Sequence, residues 1–371
     1  MSLLPRAMRT DLTPFETRQA RLLSLLDQRH VPVLVVTKPA NIFYLTNFRG
    51  SAGVAVFGPP HPILWVDPRY TLQARESARG VEVREERGRL FKAVARWLER
   101  KRPTRVGYED SHLACRELRE LKDESGGRLR FKPAGGLIEE LRTVKDLGEI
   151  DCIRKAGRLT ATVLEEVLRE IRPGVRESEL AAEIEYRMKL KGAEGPAFET
   201  IVASGHRAAL PHARASVKPL ERDGLVILDV GAILAGYAAD MTRTVYIGEP
   251  GRRVKSLYRA VLESQQCAIE ALADGVRALD VDAAARRALG RRGLAQYFTH
   301  STGHGVGLEV HEAPRLGRRE KTRLKSGCVV TAEPGIYLEG FGGIRIEDTV
   351  LVGTNGPEIL TPAPKDLWCI S

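Results

Sequence analysis

Cysteine is scarce in this 371-residue chain. There are five, an odd number, with no CxxC pair among Cys115, Cys152, Cys267, Cys328 and Cys369. That excludes a disulfide scaffold and a thiolate zinc site, and it fits free thiols in a reducing cytoplasm. No run of 18 apolar residues occurs, so no membrane-spanning helix is expected. The most apolar segment, residues 225–239, carries Asp229 in its interior. Residues 1–16 lack an apolar core and a cleavage site, so no secretion signal is read there. Nor is there a basic stripe with interleaved aromatics. The arginines are scattered and interrupted by glutamates, as in residues 82–89 (EVREERGR). A nucleic-acid interface is therefore not expected.

What is present is ordinary soluble globular composition, 43% hydrophobic and 29% charged. The length suits two or three domains with a large core. The net charge of +10 is uneven. Residues 1–140 hold 25 Lys+Arg against 17 Asp+Glu (25 − 17 = +8), and the rest hold 33 against 31 (33 − 31 = +2). The excess reads as a solvated, Arg-rich surface on the N-terminal third.

Periodicity predicts a helix over residues 16–30, where Leu22, Leu23, Leu25 and Leu26 repeat at helical spacing. Apolar runs at 31–36, 54–57 and 63–66 predict strands. Helical patterns follow at 69–78 and 90–101, then a strand at 105–108. Alternating strands and helices indicate an α/β domain. The cluster Lys132-Pro133-Ala134-Gly135-Gly136 breaks the pattern, which places a boundary there, with domains at 1–136 and 137–371. Beyond it, helix pairs are predicted at 146–171 with 177–190, and at 254–272 with 280–291. They read as an internal repeat. At an offset of 101, Gly174-Val175-Arg176 matches Gly275-Val276-Arg277, Ala182 matches Ala283 and Gly192 matches Gly293. A duplicated βαα unit would put a site at its pseudo-two-fold centre.

Two hairpins carry acids. Residues 225–232 and 237–247 are β-rich. With Leu234-Ala235 as the turn, Asp229 opposes Asp240. Residues 329–338 and 343–352 flank a glycine-rich turn. With Gly340 at its centre, Glu333 opposes Glu347. Opposed residues share a face, and paired carboxylates among apolar strands call for a cation. Between the hairpins, three of the eight histidines (His300, His304, His311) fall within the glycine-rich segment 300–311, and His212 follows Pro211. Four acids and one imidazole suit two divalent ions such as Mn²⁺, Co²⁺, Fe²⁺ or Zn²⁺. A pair about 3.5–4 Å apart would activate a water and polarise a carbonyl.

These motifs resemble the pita-bread metallopeptidases, the Xaa-Pro dipeptidase (prolidase) and aminopeptidase P group. The resemblance spans nearly the whole chain. NIFYLTNFRGS (41–51), DPRY (67–70) and ELRTVKD (140–146) with Glu149-Ile150 are similar to a creatinase-type N-terminal domain and its junction. LDVGAILAGYAADMTRT, STGHGVGLEVHE, TAEPGIY and IRIEDT are similar to the catalytic domain. The resemblance implies an α/β (α+β) fold, a creatinase-like domain followed by a pita-bread domain. It implies that Asp229, Asp240, His304, Glu333 and Glu347 hold two metals, with Mn²⁺ foremost and Co²⁺ or Zn²⁺ as alternatives. Asp240 and Glu347 would bridge them, and Glu333 would also act as general base. By the same resemblance His212 and His311 would contact the substrate carbonyl and developing oxyanion. His300, Arg345 and Tyr237 would line the substrate site, and Phe198 would face the proline ring. It further implies a peptide substrate with proline after the scissile bond, a homodimer and a cytoplasmic location. Dipeptidase and aminopeptidase both stay open, and a lyase or a binding module on the same fold are the non-peptidase alternatives.

Overall fold

The computed structural model describes residues 12–370. Residues 1–11, which hold most of the stretch read for a secretion signal, lie outside the described residues. Contacts divide the chain into two compact units that part between Arg142 and Thr143. No described helix is long and apolar enough to cross a membrane.

The first unit is built on a six-stranded mixed sheet. Its spatial order is Glu82–Glu85, Ile63–Val66, Val54–Phe57, Val33–Val36, Val106–Tyr108 and Phe131–Pro133. The apolar runs are wholly buried central strands, as continuous hydrophobic segments should be. Helix Leu90–Lys101 buries Val94, Ala95, Trp97 and Leu98 on one face, and Trp97 packs edge-on to Trp65 at 5.7 Å. Helix Pro14–Gln28 starts in a capping box between Thr13 and Glu16. Three helices escape the periodicity reading, Pro39–Thr46, Cys115–Glu124 and Leu137–Thr143. The first is short and apolar nearly all round. The expected boundary at Gly136 falls short of the observed one. Helix Leu137–Thr143 follows Gly136, yet Arg142 Nη1 donates to Asn41 Oδ1 at 2.6 Å and Asn41 donates to Glu139. Side-chain hydrogen bonds tie that helix to the first unit, although a glycine pair precedes it.

The second unit is a duplication. Helices Leu147–Val167 and Glu177–Leu190 pack as one pair, Arg252–Glu270 and Ala278–Gly290 as the other. The glycines that begin each second half do the same job. Gly174 N donates to Leu220 O and Gly275 N to Leu324 O, both at left-handed φ (93° and 79°). Isolated bridges Arg176↔Pro219 and Arg277↔Arg323 sit at matching places. One sheet runs Cys369–Ile370, Met241–Ile247, Gly224–Val230, Ile201–Ser204. A second runs Glu312–Leu316, Gly303–Gly305, Val329–Ala332, Asp348–Gly353, Gly356–Ile359, and two smaller sheets carry the hairpin ends, Tyr237–Ala238 with Ala232–Leu234 and Gly195–Pro196, and Gly335–Leu338 with Gly342–Arg345.

The hairpins differ in register from one another and, in one case, from expectation. In the first, Ala235 and Gly236 form the turn, both at positive φ (50° and 81°). This is the primed geometry that matches strand twist. Leu234 then pairs with Tyr237 and Asp229 with Thr242. The expected Asp229–Asp240 opposition is therefore corrected: the same register sets Asp240 against Gly231, diagonal to Asp229. The displacement is two residues, so the face is unchanged. In the second hairpin, Val329–Ala332 pairs with Asp348–Gly353 and Gly335–Leu338 with Gly342–Arg345 in a single register. Glu333 and Glu347 face each other in the gap between these ladders.

Candidate metal centre

The two hairpins bring their acids to one cavity of about 760 Å³. Asp229, Asp240, His304, Glu333 and Glu347 all line it. So do His212, His300 and His311, together with Phe198 and Arg345. Tyr237 is not among its lining residues. Its hydroxyl donates instead to Glu149 at 3.2 Å, against the long helix. Its strand position turns it towards that helix rather than into the cavity.

The local sequence explains the crowding. A Cβ on Gly231 would lie 2.1 Å from Ala239 O and 2.7 Å from the Phe198 ring. A Cβ on Gly303 would lie 2.0 Å from Thr331 O. Only glycine lets these backbones approach beside the acids. Donor atoms of Asp240, His304 and Glu347 lie within 4.8 Å of one another. His304 Nε2 stands 3.5 Å from Asp240 Oδ2 and 3.5 Å from Glu333 Oε1. His304 Nδ1 donates to Gly305 O at 3.0 Å, which leaves the Nε2 lone pair facing the acids. Burial holds His304 down at about 4, so the ring is neutral and able to ligate.

The acids repel. Burial pushes Glu333 up to about 8, Arg345 opposes this, and Asp229 adds to it. Burial, then neighbouring carboxylates, push Asp240 and Glu347 well upwards. Counter-charge is thin. Arg345 Nη2 donates to Asp229 Oδ2 at 2.6 Å, and Asp229 Oδ1 is buried without a hydrogen-bond partner. An orphaned carboxylate oxygen, three further acids and one imidazole form the oxygen-rich, nitrogen-poor donor set that suits hard or borderline divalent ions. The residues therefore fit a metal site.

Several supporting groups are absent from the sequence reading. Thr242 Oγ1 donates to Glu347 Oε2 at 2.5 Å and accepts from Arg345 Nε at 3.1 Å. Its place two residues after Asp240, on the same strand face, is a signal that period-two reasoning supplies. Arg345 Nη1 donates to Tyr337 Oη, whose hydroxyl donates to His300 Nε2 at 2.9 Å. His300 Nδ1 donates to Ser301 O, so both ring nitrogens are engaged, and burial holds this ring down at about 4 as well. His300 thus meets the cavity with its ring rather than with a free nitrogen. Behind the centre, Arg243 commits all five N–H groups. Nε binds Pro364 O, Nη1 binds Thr242 O and Glu347 O, and Nη2 binds Asp348 Oδ1 and Ala363 O. It fixes the backbone from which Glu347 projects. Arg315 also lines the cavity and donates to Ser301 Oγ at 3.3 Å.

Comparison with known proteins identifies the family. Residues 151–354 match metallopeptidase family M24, and residues 18–144 match the creatinase/prolidase N-terminal domain. An Xaa-Pro dipeptidase of Pyrococcus furiosus is 38% identical over 352 residues, covering 94% of this chain and 99% of that protein. The structure of an Xaa-Pro dipeptidase from Bacillus anthracis superposes with a TM-score of 0.93 at 37% identity, covering 96% and 100% of the two chains. That of an X-Pro aminopeptidase from Thermotoga maritima superposes with a TM-score of 0.86 at 36% identity, covering 92% and 99%. The chain belongs to metallopeptidase family M24, metal-dependent peptide hydrolases, and carries the creatinase/prolidase N-terminal domain.

Proposed function

We propose that this chain is an Xaa-Pro dipeptidase, hydrolysing the peptide bond that precedes proline. The observation that carries the reading is the buried four-carboxylate, one-imidazole cluster with an orphaned Asp229 oxygen. Asp240 and Glu347 would be shared between two divalent ions, His304 and Glu333 would hold one, and Asp229 the other. Two such ions, Mn²⁺ foremost, supply Lewis acidity and an acidified water when bound.

The chain's own residues do the rest. Glu333 takes the proton of the attacking water and passes it to the leaving amine, as a general base must when within reach of the nucleophile. His212 and His311 donate to the oxygen on which negative charge develops. Phe198 offers the proline ring an apolar wall. A wall is needed because the proline nitrogen has no N–H for an ordinary peptidase site to bind. Arg345 anchors Asp229 and, through Tyr337, His300. A cytoplasmic homodimer completes the reading, and sedimentation velocity tests the dimer.

The high identity to both dipeptidases and an aminopeptidase makes substrate length the test. Chelated protein is reloaded with Mn²⁺, Co²⁺ or Zn²⁺ and given an Xaa-Pro dipeptide and the same peptide extended beyond proline. Cleavage of the dipeptide alone supports the dipeptidase. Preference for the longer peptide makes the chain an aminopeptidase P. Metal-dependent cleavage of neither overturns the peptide-hydrolysis reading.

A further inference from the structure

Next to the catalytic cavity lies a second depression of about 390 Å³, and the two share His300, Ser301 and Arg315. The first is dominated by carboxylates. The second is lined by Arg286, Arg315, Arg318 and Arg319, with Glu320 as its one acid. Arg286 is spoken for. It pairs with Asp282 through Nε and Nη2, and its other N–H groups reach the carbonyls of Phe298 and His300. Glu320 is occupied by Thr322, whose N and Oγ1 both donate to it. Among the described residues, Arg318 and Arg319 form no hydrogen bond or ion pair, and Arg315 has only the Ser301 hydroxyl. Arg318 and Arg319 against Glu320 leave this chamber with one unmatched positive charge, and Arg315, shared with the first cavity, also acts on Glu333.

From this juxtaposition we infer that the side chamber is a subsite for an anionic group of the peptide, a carboxylate side chain flanking the proline. The inference rests on the proposed peptidase reading and names a substrate class for it. A peptide bound across both chambers is oriented by charge. Its ammonium faces the acids and an additional carboxylate faces Arg318 and Arg319. Two divalent ions would offset the four ligating acids, so the arginines of the side chamber are what would favour an acidic side chain over its amide. These arginines are exposed, so each pair is worth little in water, and the expected preference is modest and sensitive to salt.

The test compares isosteric peptides, Glu-Pro with Gln-Pro and Ala-Pro-Glu with Ala-Pro-Gln, on wild-type enzyme and on the Arg318→Glu/Arg319→Glu double variant, with Leu-Pro as neutral control. In the wild type, kcat/KM for the acidic member of at least one pair should exceed its amide partner by about fivefold at low ionic strength. That ratio should fall below one in the double variant while Leu-Pro turnover stays unchanged. Acid-to-amide ratios that do not move on charge reversal, with Leu-Pro still cleaved, overturn the subsite and leave the peptidase intact. Loss of metal-dependent cleavage of all five peptides by the wild type overturns the peptidase reading itself. A charge-neutral variant, Arg318→Gln/Arg319→Gln, serves if the reversal unfolds the loop, and it should bring the ratio close to one.

Discussion

Arg345 donates from Nη2 to Asp229 Oδ2 at 2.6 Å, while Oδ1 of the same carboxylate is buried with no hydrogen-bond partner. One arginine thus offsets one of four clustered acids and leaves an oxygen whose desolvation nothing compensates. Such an oxygen costs about 1–3 kcal/mol or more when charged, and a cation bound there removes the cost.

Metal should therefore act as a folding ligand. Protein loaded with Mn²⁺ should melt above the chelated protein, with a gain of about 2.7 kcal/mol at a free metal concentration of about 100 times Kd. Scanning calorimetry on both forms checks this. Coincident melting curves would count against metal binding at the four acids.

Asp240→Ala and Glu347→Ala each remove a proposed shared ligand. Both variants should lose activity and metal while keeping the far-ultraviolet dichroism of the parent. Elemental analysis after gel filtration measures the metal. Wild-type turnover with two metals retained would show that these acids are not ligands.

Glu333→Gln keeps size and removes the base. The expected loss is about 10²- to 10⁴-fold in kcat, with KM close to that of the parent. An unchanged kcat excludes Glu333 from proton transfer.

The metal-free protein should lose stability as pH rises from 6.5 to 8. Glu333 is raised from its ordinary 4.5 to about 8, and Asp240 and Glu347 are raised in the same direction, so the folded state binds more protons than the unfolded chain in this window. Stability then falls with pH. His300 and His304, lowered from 6.5 to about 4, act with the opposite sign, a contribution that fades above 6.5 as the unfolded imidazoles lose their protons. Urea titrations across this range read the slope, and saturating Mn²⁺ should abolish it. A metal-free stability that rises over the same range would contradict the clustering of the acids.

Arg243→Met should destabilise the fold by about 3–5 kcal/mol, because Asp348 would be left buried with one fewer cation. Asp348 also accepts from Gln265, Thr361 and Lys365. The Arg243→Met and Asp348→Asn effects should therefore fall short of additive. Equilibrium denaturation of both single variants and the double variant measures the coupling.

How much of this was legible in the sequence follows from which interactions are local. Strand periodicity alone puts Asp229 and Asp240 on one face, and a one-residue slip of the turn, which moves the pairing by two, leaves that result standing. The helix pairs and their glycines at an offset of 101 announce the duplication, since each repeat carries its own caps and turns. The glycine-rich segment around His304 marks a close backbone approach by its composition. The tertiary structure decided what depends on distant partners. Thr242 reaches Glu347 across 105 residues, and Arg345 reaches Asp229 across 116. Tyr237 turns to Glu149, 88 residues away, rather than into the cavity. Helix Leu137–Thr143 joins the first unit through Asn41, about a hundred positions earlier. Nothing in a local pattern encodes these meetings. They arise when two hairpins and two helix pairs pack, and only then do four acids share one cavity and acquire the mutual repulsion that calls for a metal.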